Sequence, residues 1–123
     1  MTNYREHDAT SLRVLFCIGV SQTFFDEASE RLPELIKAIT EAFDDLRGRF
    51  GITVLGTLDD DQVMVGPSPT WPWTAYILAE APSLEAVVGV CNVVRESSVA
   101  GHRLWRYLRI EARVGRRLFF GNS

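Results

Sequence analysis

Five residues near the C-terminus, Trp105, Tyr107, Arg109, Glu111 and Arg113, alternate along the stretch RLWRYLRIEAR. On an extended strand they share one face. Aromatic rings at one end of such a face can wall an apolar ring, and a guanidinium beside them suits a carboxylate. A second aromatic group stands in GPSPTWPWTAYI, residues 66–77, where three prolines, a glycine and two tryptophans fall within eight positions. The prolines either side of Trp71 restrict its backbone, which lowers the entropy cost of presenting that ring to a ligand. Trp71, Trp73, Tyr76, Trp105 and Tyr107, with Arg109 and Arg113, are therefore candidate binding residues for an aromatic acid. Two plainer readings stand beside this one. The tryptophan loop can cap an open end of the core, and the arginine–glutamate face can serve as an ion-paired dimer interface.

Groups able to move a proton are few. His102 directly precedes the last apolar run, where it could serve as a general acid or base; a solvated strand edge is its plainer role. Asp59 opens the run DDD at 59–61, most simply a turn, and becomes a second acid–base candidate if it points inward. There is no histidine pair, cysteine cluster, phosphate-binding glycine loop or dinucleotide fingerprint, so neither a metal nor an organic cofactor is implied.

The elements that must position these residues follow from periodicity. Residues 1–11 read as a mobile tail, and 12–123 as one domain. LRVLFCIGV, Leu12 to Val20, is apolar on both faces and reads as a strand covered on two sides. Helical spacing follows, with a break or kink at Pro33 and a firm helix from there to about Arg47. Strands are expected at Ile52–Leu58, in the short run QVMVG, and at Thr74–Ala81. Ser83 caps a second helix, with Glu85 in its first turn and Val87, Cys91 and Val94 on one face. The last element alternates as a strand, with Leu104, Leu108, Ile110, Ala112 and Val114 on its apolar face. Read instead as a helix, it would carry a basic stripe.

Strand, helix, strand, strand, helix, strand is the ferredoxin-like order, an α+β domain with both helices on one face of an antiparallel sheet. The other face would be bare and apolar, too large a patch for a stable monomer. A homodimer whose open sheet faces close into an α/β barrel resolves this, and the terminal LFF at 118–120 could clasp the partner.

Composition narrows the partners. The net charge is −3 over 123 residues, against a nucleic-acid binder, and no apolar run is long enough to span a bilayer. Lys37 is the only lysine beside twelve arginines. Cys17 and Cys91 sit in apolar runs as core thiols. Without a signal-peptide pattern, the expected location is cytoplasmic and reducing.

Taken together, RVLFCIG, VLGTLDDDQVMVGPS, WPWTAYILA and RLWRYLRIEARVGR resemble the small IacB-type proteins encoded with bacterial indole-3-acetate degradation enzymes. More broadly, the topology is similar to the dimeric α/β-barrel superfamily. The resemblance implies a catabolic role on an oxidised indole-acetic acid or related aromatic acid. It does not fix the reaction, since this fold hosts unrelated chemistries. Two functional expectations result: a cofactor-free isomerase, dehydratase or oxygenase step with His102 or Asp59 moving the proton, or a protein that holds a small aromatic ligand without transforming it.

Overall fold

A computed structural model describes residues 11–66, 73–99 and 101–123. Strand β1 (Leu12–Val20) leads into a short helix α1 (Gln22–Asp26) and a 3-10 turn at Ser29–Arg31. Helices α2 (Leu32–Ala42) and α3 (Leu46–Phe50) follow, then strands β2 (Thr53–Asp59) and β3 (Ala75–Ala81). Helix α4 (Leu84–Glu96) is followed by the two-residue strands β4 (Ser98–Val99) and β5 (His102–Arg103). A second 3-10 turn, Leu104–Arg106, delivers the chain to β6 (Leu108–Gly115).

The four long strands pair antiparallel in the order β2-β3-β1-β6. With the four strands taken in sequence, this is the 4-1-3-2 order of the ferredoxin-like fold, as expected. β1 lies at the centre because it is the strand that can be covered on both faces; Val14, Phe16, Cys17 and Ile18 are all buried. Register places Val14 beside Ala79 and Val114, Phe16 beside Ile77 and Ala112, and Ile18 beside Ala75 and Ile110. These side chains form the inner face of the sheet. Leu46, Ile52, Ala86, Val87, Val90, Val93 and Val94 pack over that face from the helical layer and the turn into β2.

The local chemistry explains most boundaries. Pro33 sits in the first turn of α2, where its missing N–H costs nothing, so the break expected there is the start of that helix. The helix does not continue to Arg47. It stops at Ala42, and Asp45 adopts a left-handed conformation (φ 49°) while its carboxylate accepts the Gly48 N–H at 3.0 Å. An aspartate that can satisfy the backbone through its own side chain competes with the helix and restarts it as α3. Arg49 donates to the carbonyls of Ala42 (2.9 Å) and Asp44 (2.8 Å), covering the freed end of α2. Ser83 caps α4 as expected, accepting from the Ala86 N–H at 3.2 Å.

Two expectations are corrected. QVMVG forms no strand; Val63, Met64 and Val65 are exposed, because β2 pairs with β3 through the residues before Asp60. The last strand begins at Leu108, since the β4–β5 hairpin and the 3-10 turn occupy residues 98–106. Among the described residues no second layer of helices or strands packs on the outer face of the sheet, so within one chain they form an open sheet and not a closed barrel. That face carries Arg13, Leu15 and Cys17 of β1, Tyr76, Leu78 and Glu80 of β3, Gly56 and Leu58 of β2, and Glu111 and Arg113 of β6.

Candidate functional site

The 3-10 turn before β6 is fixed by a dense set of bonds, and this is what positions Trp105. Leu104 donates its N–H to the Ser97 carbonyl at 2.7 Å, and Tyr107 donates to the Leu104 carbonyl at 2.9 Å. Two hydroxyls from the start of α1, Ser21 and Thr23, converge on the Arg106 carbonyl at 2.8 and 2.5 Å. The Ser21 N–H donates to the Tyr107 carbonyl at 2.8 Å. Leu104 and Tyr107 are both fully buried and turn inward, which leaves Trp105 between them turned outward and 51% exposed.

Arg109, one turn of strand away, lays its guanidinium over the Trp105 indole, with the carbon 5.4 Å from the ring centroid. This is cation–π distance. By register Arg109 starts on the outer face of the edge strand β6, beside Gly19, and with Trp105 it is among the residues that line a cleft against α4. Leu108, Ile110 and Val94 make the apolar wall of that cleft, and Cys91, Asn92 and Arg95 enter it from α4. The cleft volume is about 160 Å³. Neither Arg95 nor Arg109 pairs with a carboxylate among the described residues. Burial pushes the Cys91 thiol above its usual range, opposed by the nearby charge of Arg95. That thiol is protonated at neutral pH and is a poor nucleophile there.

The residues singled out from sequence are divided by the structure into groups. Trp105 and Arg109 come together in the cleft. Arg113 lies further along β6 on the outer face, where it is bound to Glu111 at 2.7 Å. Trp73 and Tyr76 lie at the start of β3, two strands away, where the Tyr76 hydroxyl meets the Trp73 carbonyl at 3.3 Å and the Asp60 carboxylate at 3.4 Å. Trp71 falls outside the described residues. The expectation that Tyr107 shares a face with Arg109 is corrected: its ring is interior, and its hydroxyl donates to Glu27 at 2.8 Å. The strand alternation simply does not extend back through the 3-10 turn. Burial, then the hydrogen bond and charge of Glu27, raise the Tyr107 phenol above its ordinary value.

His102 is exposed in the β4–β5 hairpin, while Asp59 is exposed at the end of β2 on the opposite edge of the sheet. Three strand spacings, about 14 Å, separate those edges, and neither residue lines the cleft. Sequence reasoning missed Arg95 and Asn92. The available signal was helical spacing: Arg95 lies four residues after Cys91, so both share one face of α4. Among the described residues, no cluster of three or more His, Cys, Asp or Glu side chains is arranged to hold a metal ion. No described helix is long and apolar enough to cross a membrane.

No protein-family model matches the chain, and no curated protein does. Two solved structures are similar to this chain. One is a protein of unknown function from Rhodopseudomonas palustris, 18% identical, with a TM-score of 0.46 over 95% of this chain and 92% of that one. The other is a dimeric protein of unknown function with a ferredoxin-like fold from Bacteroides fragilis, 11% identical, with a TM-score of 0.38 over 85% of this chain and 95% of that one.

Proposed function

We propose that this protein binds a small aromatic carboxylic acid in the cleft between α4 and β6. The observation that carries the reading is two arginines, Arg95 and Arg109, without carboxylate partners among the described residues, at one cleft of mixed polar and apolar lining beside an exposed indole. A carboxylate there receives charge-assisted hydrogen bonds of about 1.5–3 kcal/mol. A cavity of about 150 Å³ suffices for one benzene-sized ring, so the cleft takes a single ring, and a fused ring system extends beyond it toward the Trp105–Arg109 pair. Indole-3-acetate has this shape and follows from the resemblance noted above.

Holding the acid is favoured over transforming it, because the cleft is lined by neither His102 nor Asp59 and its one thiol is held protonated. Incubating the pure protein with indole-3-acetate and its ring-oxidised derivatives, with mass spectrometry against a protein-free control, separates the two. Saturable binding without a mass or retention change supports the reading; a protein-dependent product makes the protein an enzyme on the same acid.

A second copy of the chain covers the outer face in this account. A twofold axis parallel to the strands lays β1 of one sheet over β3 of the other. By register this sets Leu15 over Leu78 of the partner subunit and Arg13 over Glu80 of the partner subunit, apolar on apolar and cation on anion. Within one chain Glu80 meets Arg13 at 3.8 Å and accepts from the Ser11 hydroxyl at 3.0 Å.

A further inference from the structure

The C-terminal segment after β6 presents an aromatic knob. Leu118, Phe119 and Phe120 are exposed, Phe119 by 89%, and the two phenyl rings meet edge to face with centroids 4.8 Å apart. The knob is internally tied. Asn122 donates its amide to the Leu118 carbonyl at 2.7 Å and the Phe120 carbonyl at 3.3 Å, and its side-chain oxygen accepts from Arg117 at 3.1 Å. Gly121 supplies the positive φ (74°) that closes this turn. A preformed apolar projection of this kind is costly in water and marks a docking element.

An apolar hollow of about 370 Å³ lies behind the opposite edge strand, floored by Phe43, Leu46, Ile52 and Val54, with Asp45, Arg47 and Thr53 at its margin. Its volume matches two benzene-sized rings at about 150 Å³ each.

The register fixes how the two features are related. Gly115, from which the knob springs, lies level with Arg13, and Thr53 at the hollow lies level with Glu80, itself level with Arg13. Knob and hollow therefore sit at the same end of the sheet, on opposite edges. A twofold axis parallel to the strands exchanges edges and keeps ends. It brings the knob of each copy to the same end and the same edge as the hollow of the other, twice per dimer, and the residues from Arg116 to Phe119 reach about 13 Å, against stacked sheets about 10 Å apart. The opposed Arg13 and Glu80 charges favour the same operation.

We infer that Phe119 and Phe120 of one copy insert into the Phe43–Leu46–Ile52–Val54 hollow of a second copy, strapping the stacked sheets together. The inference rests on the stacked-sheet assembly proposed above. The test replaces Phe119 by the photo-reactive p-benzoylphenylalanine in the full chain, in an equal mixture of light and nitrogen-15-labelled protein, followed by irradiation and peptide mass spectrometry. Light-to-heavy cross-links to residues 43–54 are expected. Cross-links elsewhere, only within one chain, or absent overturn the inference. Sedimentation of the unmodified protein separates the two layers: a dimer with cross-links elsewhere overturns the strap alone, and a monomer overturns the assembly as well. The double variant Phe119→Ala, Phe120→Ala is expected to raise the dimer dissociation constant by about tenfold or more; an unchanged constant overturns the strap.

Discussion

Replacing Tyr107 by phenylalanine removes one hydroxyl from a fully buried ring and nothing else. The structure makes that hydroxyl a donor to Glu27 at 2.8 Å, tying the segment after α1 to the entry of β6. A hydrogen bond to a carboxylate contributes about 1.5–3 kcal/mol, and Glu27 is partly exposed, so water recovers part of it on substitution. The expected loss is about 1–2 kcal/mol at pH 7, or a melting temperature lower by roughly 3–10 °C for a chain of this size. A second signature is pH-dependent. The folded-state pKa of Tyr107 lies above its unfolded value. The stability it contributes is thus fully present below about pH 10 and is lost as pH rises through the folded pKa. Urea titrations from pH 8 upward should show the wild-type protein losing stability faster than Tyr107→Phe, with the two curves converging. Ligand affinity should be unchanged, because Tyr107 does not line the cleft. An equal stability at pH 7, or parallel curves at high pH, would refute the anchoring role, and a tenfold weaker ligand would return Tyr107 to the binding wall.

Other outcomes follow from the same structure. Ser83→Ala removes the cap of α4 and should cost about 1 kcal/mol of stability, read by urea unfolding. Alkylation of Cys91 by iodoacetamide should be slow at pH 7 and accelerate at alkaline pH as the raised thiol ionises, and a bound aromatic acid should slow it further; peptide mapping resolves it from Cys17, which is buried and should react only on unfolding. Leu78→Asp places a charge on the outer face of the sheet and should convert a dimer to a monomer on a sizing column with light scattering, while retaining the circular dichroism of the fold.

Most of the fold was legible because its signals are local and strong. The two-sided apolar run of β1, Pro33 at a helix start, Ser83 at a cap and the Leu108–Ile110–Ala112–Val114 alternation each map onto one element. What was not legible depended on tertiary competition. QVMVG has strand composition, but β3, the strand that follows it, is already paired on both sides by β1 and β2. The helix ending at Ala42 is stopped by the left-handed Asp45, a choice periodicity does not register. The candidate site was half readable: Trp105 and Arg109 were found through alternation, but the alternation was carried through a 3-10 turn that reverses Tyr107. Arg95 was hidden because its partner in the cleft comes from a different element.

The central claim, that Arg95, Arg109 and Trp105 recognise an aromatic carboxylate, is tested most directly by calorimetric titration of the protein with indole-3-acetate and with its neutral amide. The acid should bind saturably, the amide about 10- to 150-fold more weakly, the ratio set by one charge-assisted contact. In Arg109→Ala the difference between acid and amide should largely disappear. Equal affinity for the two ligands, or an acid preference that survives Arg109→Ala and Arg95→Ala together, would contradict the account.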